Sequence, residues 1–330
     1  MPYLVTGDTG QVRFVLAVLA AAVLFGTTGT ILALGPDSAD PNAVGVMRML
    51  IGGAGLALIA YSLAWREMHV ARSAANTSGI NPRLTVKAAG LLVLSGVCIS
   101  IYQPLFFLGT TRNGVALATV VALGSAPILA GLLEWARTRR VPTRTWITAT
   151  ALATAGVIVL SLGGGSGGTV STAGTGTDIL GLLGSVGAGA SFAVIANAQR
   201  MLLDAGWSPF IVVGSMGASS ALISAVSLPF VDVSWLADPA GLAMALWLGL
   251  ATIAIAYVLF TWGLGGLSAA TAATLTLGEP LTAAILGIVV LGERISIPAT
   301  IGLIVLAAGL VVLAWGSRTP RDPKPFAVEG

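Results

Sequence analysis

The chain has 330 residues, of which 56% are apolar and 9% are charged, and its mean hydropathy is +0.94. A water-soluble protein of this length could not cover its surface with so few charges, so the composition indicates a membrane protein. The net charge of +3 is spread through loops without aromatic residues between the basic ones, which gives no indication of a nucleic-acid partner. The single cysteine, Cys98, excludes an intramolecular disulfide.

Ten segments are long and apolar enough to be membrane-spanning helices. A helix needs about 20 mostly apolar residues to cross the hydrocarbon layer. By this rule, spans 1 to 10 cover residues 14–34, 44–64, 88–108, 114–133, 146–162, 179–198, 210–228, 242–262, 268–291 and 297–315. Span 1 is too long for a cleaved signal sequence and many spans follow it, so we interpret it as part of the fold. The predicted fold class is an all-α integral membrane protein with ten transmembrane helices in the lipid bilayer.

The distribution of Lys and Arg predicts the orientation. With the N-terminus inside, thirteen of these residues lie in inner segments and only two, Arg112 and Arg294, lie in outer loops. Because positively charged loops stay in the cytoplasm, both termini are predicted to be cytoplasmic, as residues 1–13 and 317–330. The predicted location is the plasma membrane, which is the inner membrane of a cell with two.

The chain divides into two halves of five spans each. Residues 163–178 are mostly Gly, Ser and Thr, which predicts a flexible outer linker between a first repeat at 14–162 and a second at 179–316. At an offset of 153 positions, Pro127 matches Pro280 and Gly156 matches Gly309. Because five is an odd number, the second repeat must enter the membrane in the opposite sense. Inverted repeats are typical of secondary transporters, whose binding site lies near the midplane.

Glu279 lies in the middle of span 9, directly before Pro280. A carboxylate near the centre of a spanning helix costs about 2.5–3.5 kcal/mol on insertion scales, so it usually faces a water-filled path and binds an ion, a proton or a substrate. The adjacent proline removes a backbone donor and leaves a carbonyl free for binding. The alternative is a buried, permanently protonated Glu whose proton is bound by a neighbouring hydroxyl.

A family resemblance rests on the runs LGEPLT at 277–282 and LGER at 291–294, and on Phe25-Gly26, Met47-Arg48 and Pro127 in the first half. These features resemble the EamA repeats of the drug/metabolite transporter superfamily over nearly all of 14–315. The resemblance implies a ten-helix transporter, and the Glu279-Pro280 pair is most similar to amino-acid-exporter branches such as the threonine/homoserine exporters. The first repeat has Ala126 where the second has Glu279, so this charge is carried by one half only.

Arg48 lies near the outer end of span 2, where two interpretations are open. Its planar guanidinium matches both oxygens of a substrate carboxylate. Alternatively, it snorkels to the outer interface or pairs with Asp37 or Asp40. Its position near the end of the span favours an entry or exit gate over the midplane.

Other polar and aromatic residues are candidates for substrate binding. Gln103 is unfavourable in lipid, so its amide binds either a ligand or a neighbouring helix. Tyr257 lies deep in span 8 and its hydroxyl needs a partner, which makes it the predicted aromatic wall of the site. We expect Glu279, Gln103 and Tyr257 to face a central space enclosed by spans 1, 3, 4, 6, 8 and 9. The remaining candidates are Tyr102, Thr27, Thr28, Trp262 and Asn197.

Three of these candidates have an equally simple structural explanation. Thr27 and Thr28 offer hydroxyl groups at mid-depth in span 1, but threonines in spans often bond only to their own helix. Trp262 lies where an aromatic belt at the inner interface would place it.

The sequence argues against an enzyme, a metal protein or a channel. A membrane enzyme needs paired carboxylates, a metal site or a nucleophile with its base, whereas this chain has one carboxylate at mid-membrane and one histidine, His69, in a loop. No cofactor or metal is therefore expected. A channel requires rings of charges or carbonyls, and the asymmetric Glu279 does not supply them.

The predicted function is a secondary transporter that exports small polar metabolites such as amino acids by alternating access, with Glu279 as a proton-coupling residue. Lipophilic-cation efflux is an alternative, but such sites usually add several aromatic residues, which are sparse here. A facilitative carrier is the other alternative. The expected partners are a small-molecule substrate and protons, and the sequence indicates no oligomeric state.

Overall fold

The computed structural model describes residues 9–73, 84–163, 178–294 and 296–317. Within these ranges it is built from helices, and ten spans are long and apolar enough to cross a membrane, as predicted. The helices are Thr9–Ala33, Pro41–Ser73, Val86–Thr138 (spans 3 and 4), Arg144–Gly163, Ile179–Asp204, Pro209–Ser227, Pro239–Leu264, Ala269–Val289 and Ile297–Gly316. Most of the predicted linker and the two predicted terminal segments lie outside the described residues.

The helices are longer than the apolar segments that predict them. Span 2 continues to Ser73, nine residues past its predicted end, because helical hydrogen bonding continues where the side chains become polar. Spans 3 and 4 are two separate helices, as predicted, but no loop joins them, because the helical geometry breaks only at Gly114. Gly114 has φ 79° and ψ 157°, a conformation that glycine adopts without steric cost, so the chain changes direction there without a loop.

The two ends of the bundle differ. Because the number of spans is even, the beginning of span 1 and the end of span 10 lie at one end, which we call the terminal face. The connections between spans 4 and 5, 6 and 7, and 8 and 9 lie at this face. The connections between spans 1 and 2, 7 and 8, and 9 and 10 lie at the other end, which we call the opposite face.

Helix packing follows a pattern that is the same in both halves. Span 2 packs on span 7 and span 5 packs on span 10. Span 1 packs on spans 8 and 9, and span 6 packs on spans 3 and 4. Each contact therefore has a counterpart in which every span is replaced by the span five positions away in the chain. For example, the contact of span 1 with spans 8 and 9 corresponds to the contact of span 6 with spans 3 and 4. This symmetry supports the predicted inverted repeat.

Small residues on span 6 allow these close contacts. A Cβ added at Gly184 would lie 2.7 Å from the carbonyl oxygen of Leu105, and one at Gly189 would lie 2.6 Å from that of Ala122. Span 6 therefore contacts the backbone of both spans 3 and 4, as small-residue faces do in lipid.

Candidate functional site

A cavity of about 390 Å³ opens at the opposite face and extends into the bundle. Its volume lies within the range of small-molecule sites, roughly 300–1,000 Å³. The connection at 33–41 forms its mouth, and spans 1, 2, 3 and 8 form its walls. The deep lining residues are Thr28, Arg48, Gln103, Phe107, Met244 and Leu248.

The cavity differs from the expected central space. Its lining includes span 2 and does not include spans 4, 6 or 9. Ala130, Ala193 and Ala273 of those three spans pack together with no exposed surface, toward the terminal face. The cavity is open to one face only.

Arg48 is the cationic group of this cavity. It lies seven residues into the helix that begins at Pro41, deeper than the sequence indicated. Its Nη2 donates to Thr28 Oγ1 at 3.4 Å, and its buried Nε has no acceptor. Neither Asp37 nor Asp40, both within the described residues, forms an ion pair with it, and Asp40 instead accepts a hydrogen bond from the backbone of Ala43. The guanidinium therefore keeps most of its donors available.

Span 9 is interrupted next to Glu279. Its helix is regular over Ala269–Leu275 and again over Gly278–Val289, with a tight turn between the two segments. Glu279 donates its backbone N–H to Thr276 O at 2.9 Å and lies in the first turn of the second segment. A helix N-terminus carries partial positive charge, so this position favours a negative group or ligand.

Glu279 is half-buried in the bundle and is not among the residues that line the cavity. A Cβ added at Gly26 of span 1 would lie 2.6 Å from the Glu279 carbonyl oxygen, so glycine is required at this crossing. Among the described residues, no side chain or backbone group forms a hydrogen bond with the Glu279 carboxylate. The alternative of a neighbouring hydroxyl that holds its proton is therefore not seen.

Four groups in the interior interact electrostatically. Arg48 interacts with Glu279, and both interact with the hydroxyl groups of Tyr102 and Tyr257. Tyr257 is 7% exposed and packs edge-on against Phe25, with ring centroids 5.3 Å apart. All four were predicted as site residues, on spans 2, 3, 8 and 9, and the fold brings them near one another.

Other candidates lie elsewhere. Thr27 donates to the carbonyl of Leu24 and accepts from Trp247 Nε1 at 3.0 Å, so its hydroxyl connects spans 1 and 8. Trp262 packs on Phe14 near the terminal face, with ring centroids 4.9 Å apart.

Asn197 is buried and donates to the carbonyls of Ala130 and Ala193. It therefore connects span 6 to span 4 and does not line the cavity.

Two features of the site were not found from the sequence. Phe107 was not singled out, although it lines the cavity. Residues Trp247–Ile255 of span 8 form a π-helix, which turns the segment that carries Tyr257. Such bulges often occur at functional sites, but no apolar pattern distinguishes them from an α-helix.

A model of the EamA-like transporter family matches residues 12–162 and again residues 179–315. This chain belongs to the EamA-like transporter family. It is a multi-pass membrane protein of the transporter class, and the resemblance noted in the sequence is confirmed.

Two known proteins are similar over nearly the whole chain. An uncharacterized transporter of Bacillus subtilis (strain 168), YwfM, is 38% identical over 309 residues, which are 94% of this chain and 95% of the relative. A solved crystal structure of a protein superimposes with a TM-score of 0.70 over 92% of this chain and 97% of the other, at 19% identity. The second likeness shows the fold alone.

Proposed function

We propose that this member of the EamA-like transporter family is a secondary transporter that exports small polar metabolites, amino acids among them, across the plasma membrane. One observation supports the proposal above others. A cation, Arg48, and an acid, Glu279, interact in the bundle interior, and neither is neutralised by an ion pair within the described residues. Unpaired charged groups within a membrane protein are costly, so they are retained for ligands or ions.

The proposed arrangement gives each charged group a role. A substrate carboxylate accepts hydrogen bonds from the fork of Arg48, with the Gln103 amide beside it in the cavity. An ammonium group on the same substrate approaches Glu279 and competes there with a proton. Exchange between the two occupants couples export to the proton gradient.

Lipophilic-cation efflux fits these observations less well. Interior aromatic residues are present, since Tyr102 lies parallel to Phe106 with ring centroids 6.3 Å apart. The cationic Arg48 in the cavity wall, however, repels a ligand whose only charge is positive. A group that binds anions is more consistent with a metabolite that carries a carboxylate.

Alternating access follows from the asymmetry of the cavity. The cavity reaches Arg48 from the opposite face, while close packing of alanines closes the route from the terminal face. Transport then requires a second state in which the terminal face opens. The Lys and Arg distribution makes that face cytoplasmic, so this structure is an outward-open state.

Exchange in proteoliposomes tests the proposed function. The purified protein is reconstituted, the vesicles are loaded with one unlabelled amino acid from a panel of twenty, and uptake of the labelled compound is measured. A carrier shows saturable uptake that is accelerated by internal substrate. Uptake that does not saturate, or that internal substrate does not accelerate for any amino acid, contradicts the proposal.

A further inference from the structure

At the terminal face, one arginine binds three backbone carbonyls. Arg200 lies at the end of span 6, and its Nη1 donates to the carbonyl oxygens of Leu264 and Leu267, both at 2.8 Å, and of Gly265 at 3.2 Å. These three residues form the connection between spans 8 and 9. One guanidinium therefore joins span 6 to that connection.

A second contact holds the adjoining residues. The Oε2 of Glu134, in span 4, accepts a hydrogen bond from the backbone N–H of Ala270 at 2.9 Å. Ala270 lies in the first turn of the Ala269–Leu275 segment, the half of span 9 that leads to Glu279. The connection between spans 8 and 9 is thus bound to the first repeat through Glu134 and to span 6 through Arg200.

Asp204 binds Arg200 from the other side. Its carboxylate lies 2.7 Å from Arg200 Nη2 and 3.0 Å from Arg137 Nη1. The Arg137 contact joins spans 4 and 6 but does not reach the connection between spans 8 and 9. Arg137 therefore offers a matched control, since it shares Asp204 with Arg200 and binds none of the three carbonyls.

The alanine layer lies directly behind these contacts. Ala273 is one helical turn beyond Ala270, Ala130 is one turn before Glu134, and Ala193 is two turns before Arg200. All three have no exposed surface. The arginine contacts and this layer therefore lie one behind the other where spans 4, 6 and 9 meet.

We propose that Arg200 is the gating residue of the terminal face, and that release of its three carbonyl acceptors frees span 9 to move and opens the route to Glu279. This proposal extends the alternating access of the proposed function to particular residues. The acceptors are carbonyls of a short turn, so movement of that turn breaks all three hydrogen bonds together. Glu134 and Arg200 bind neighbouring parts of one connection, and we expect them to release as a unit.

Two cysteine reporters test the gate. Ala273→Cys reports on the closed side and Thr28→Cys on the open cavity, each in a Cys98→Ala background. The purified full-length protein in detergent is treated with a polar thiol reagent, and the labelling rate is measured. Because no substrate is needed, the result is independent of whether the protein exports amino acids.

Arg200→Gln is expected to raise the labelling rate at Ala273→Cys by about tenfold or more. Loss of one charge-assisted hydrogen bond shifts an equilibrium between two states by about this factor. The same change lowers the rate at Thr28→Cys, because opening one face closes the other. Arg200→Lys has a smaller effect, since an ammonium keeps the charge but lacks the fork. Arg137→Gln leaves both rates unchanged.

Two results would overturn the gate. If Arg200→Gln exposes Ala273→Cys while the rate at Thr28→Cys is unchanged, Arg200 only supports the local fold. If Arg137→Gln has the same effect as Arg200→Gln, the ion pairs with Asp204 and not the carbonyl contacts hold the face closed. Size-exclusion profiles and melting temperatures of all variants show which proteins remain folded.

Discussion

Arg48 and Glu279 interact electrostatically in the interior of the bundle without forming an ion pair with each other. Arg48 comes from span 2 of the first half and Glu279 from span 9 of the second. A direct ion pair would satisfy both groups and leave little reason for a ligand to bind. The gap between them leaves a carboxylate and an arginine available to the two ends of a zwitterion, and this supports the proposed substrate class.

Substitution of Arg48 should affect binding much more than folding. Arg48→Gln is expected to raise the substrate concentration needed for half-maximal exchange by about 10- to 100-fold, the value of one or two charge-assisted hydrogen bonds. The melting temperature should stay the same or rise, because the variant no longer buries a charge without an ionic partner. Arg112→Gln removes a surface ion pair instead and serves as the control for transport. Loss of folding in Arg48→Gln with unchanged binding in the folded fraction would contradict the role in binding.

The orientation is tested by two cysteines at exposed positions. Val141, 74% exposed at the terminal face, and Ala237, exposed at the opposite face, are replaced singly by Cys in the Cys98→Ala background. The Lys and Arg distribution predicts that an impermeant reagent labels Ala237→Cys in intact cells and labels Val141→Cys only after permeabilisation. Labelling of Val141→Cys in intact cells would reverse the orientation.

The contact between spans 5 and 10 should tolerate no side chain at Gly156. A Cβ added there would overlap the backbone of Leu306. Gly156→Ala is therefore expected to lower the free energy of unfolding by about 1–3 kcal/mol, as overpacking does. Gly90, which has open space around it, is the matched control, and Gly90→Ala should be neutral or stabilising by about 0.5–1 kcal/mol. Equal melting temperatures for the two variants would argue against this helix contact.

Acid should weaken the start of span 6. Asp178 accepts hydrogen bonds from the Gly181 N–H and from Arg112 Nη1, both at 3.0 Å. The Gly181 hydrogen bond and the Arg112 guanidinium, opposed by partial desolvation, hold the pKa of this carboxyl below its ordinary value of 3.8. The stabilisation is present above pH 3.8 and is lost as the pH falls through the lowered pKa.

Thermal melts across pH check this contribution. Asp178→Asn should melt below the wild type at neutral pH, and the difference should shrink as the pH falls below 3.8. A difference that stays constant down to the lowest accessible pH would show that the charge of Asp178 does not stabilise the helix.

The sequence predicts the ten spans and the family well, because apolar length and Lys/Arg bias are set by the bilayer. It also identifies Glu279 and Arg48 from the cost of burying a charge. It does not predict that spans 3 and 4 follow each other directly at Gly114 without a loop, since Gly114 is one glycine among 43.

The contacts of Arg200 could not be predicted either. In the sequence, Arg200 counts only as one of thirteen inner positive charges. Its acceptors are backbone carbonyls 64 to 67 positions away, which leave no pattern in the side chains. The cavity seen at the opposite face also has other walls than the expected central space, because the spans that line a cavity depend on which face is open.

The role of Glu279 is tested most directly by transport under an imposed pH gradient. Wild type and Glu279→Gln are reconstituted in proteoliposomes, and flux of a labelled amino acid identified by the exchange assay is measured with and without the gradient. Glu279→Asp, which keeps the acid on a shorter side chain, is the conservative control. Size-exclusion profiles and melting temperatures verify that all three proteins fold and insert.

We expect the gradient to stimulate flux through the wild type, to have no effect on Glu279→Gln, and to stimulate Glu279→Asp partially with a shifted pH optimum. This result follows if a proton and the substrate ammonium compete for one carboxylate that no protein group neutralises. A folded Glu279→Gln protein that responds to the gradient as the wild type does would contradict the account, and would show that Glu279 is not the coupling residue.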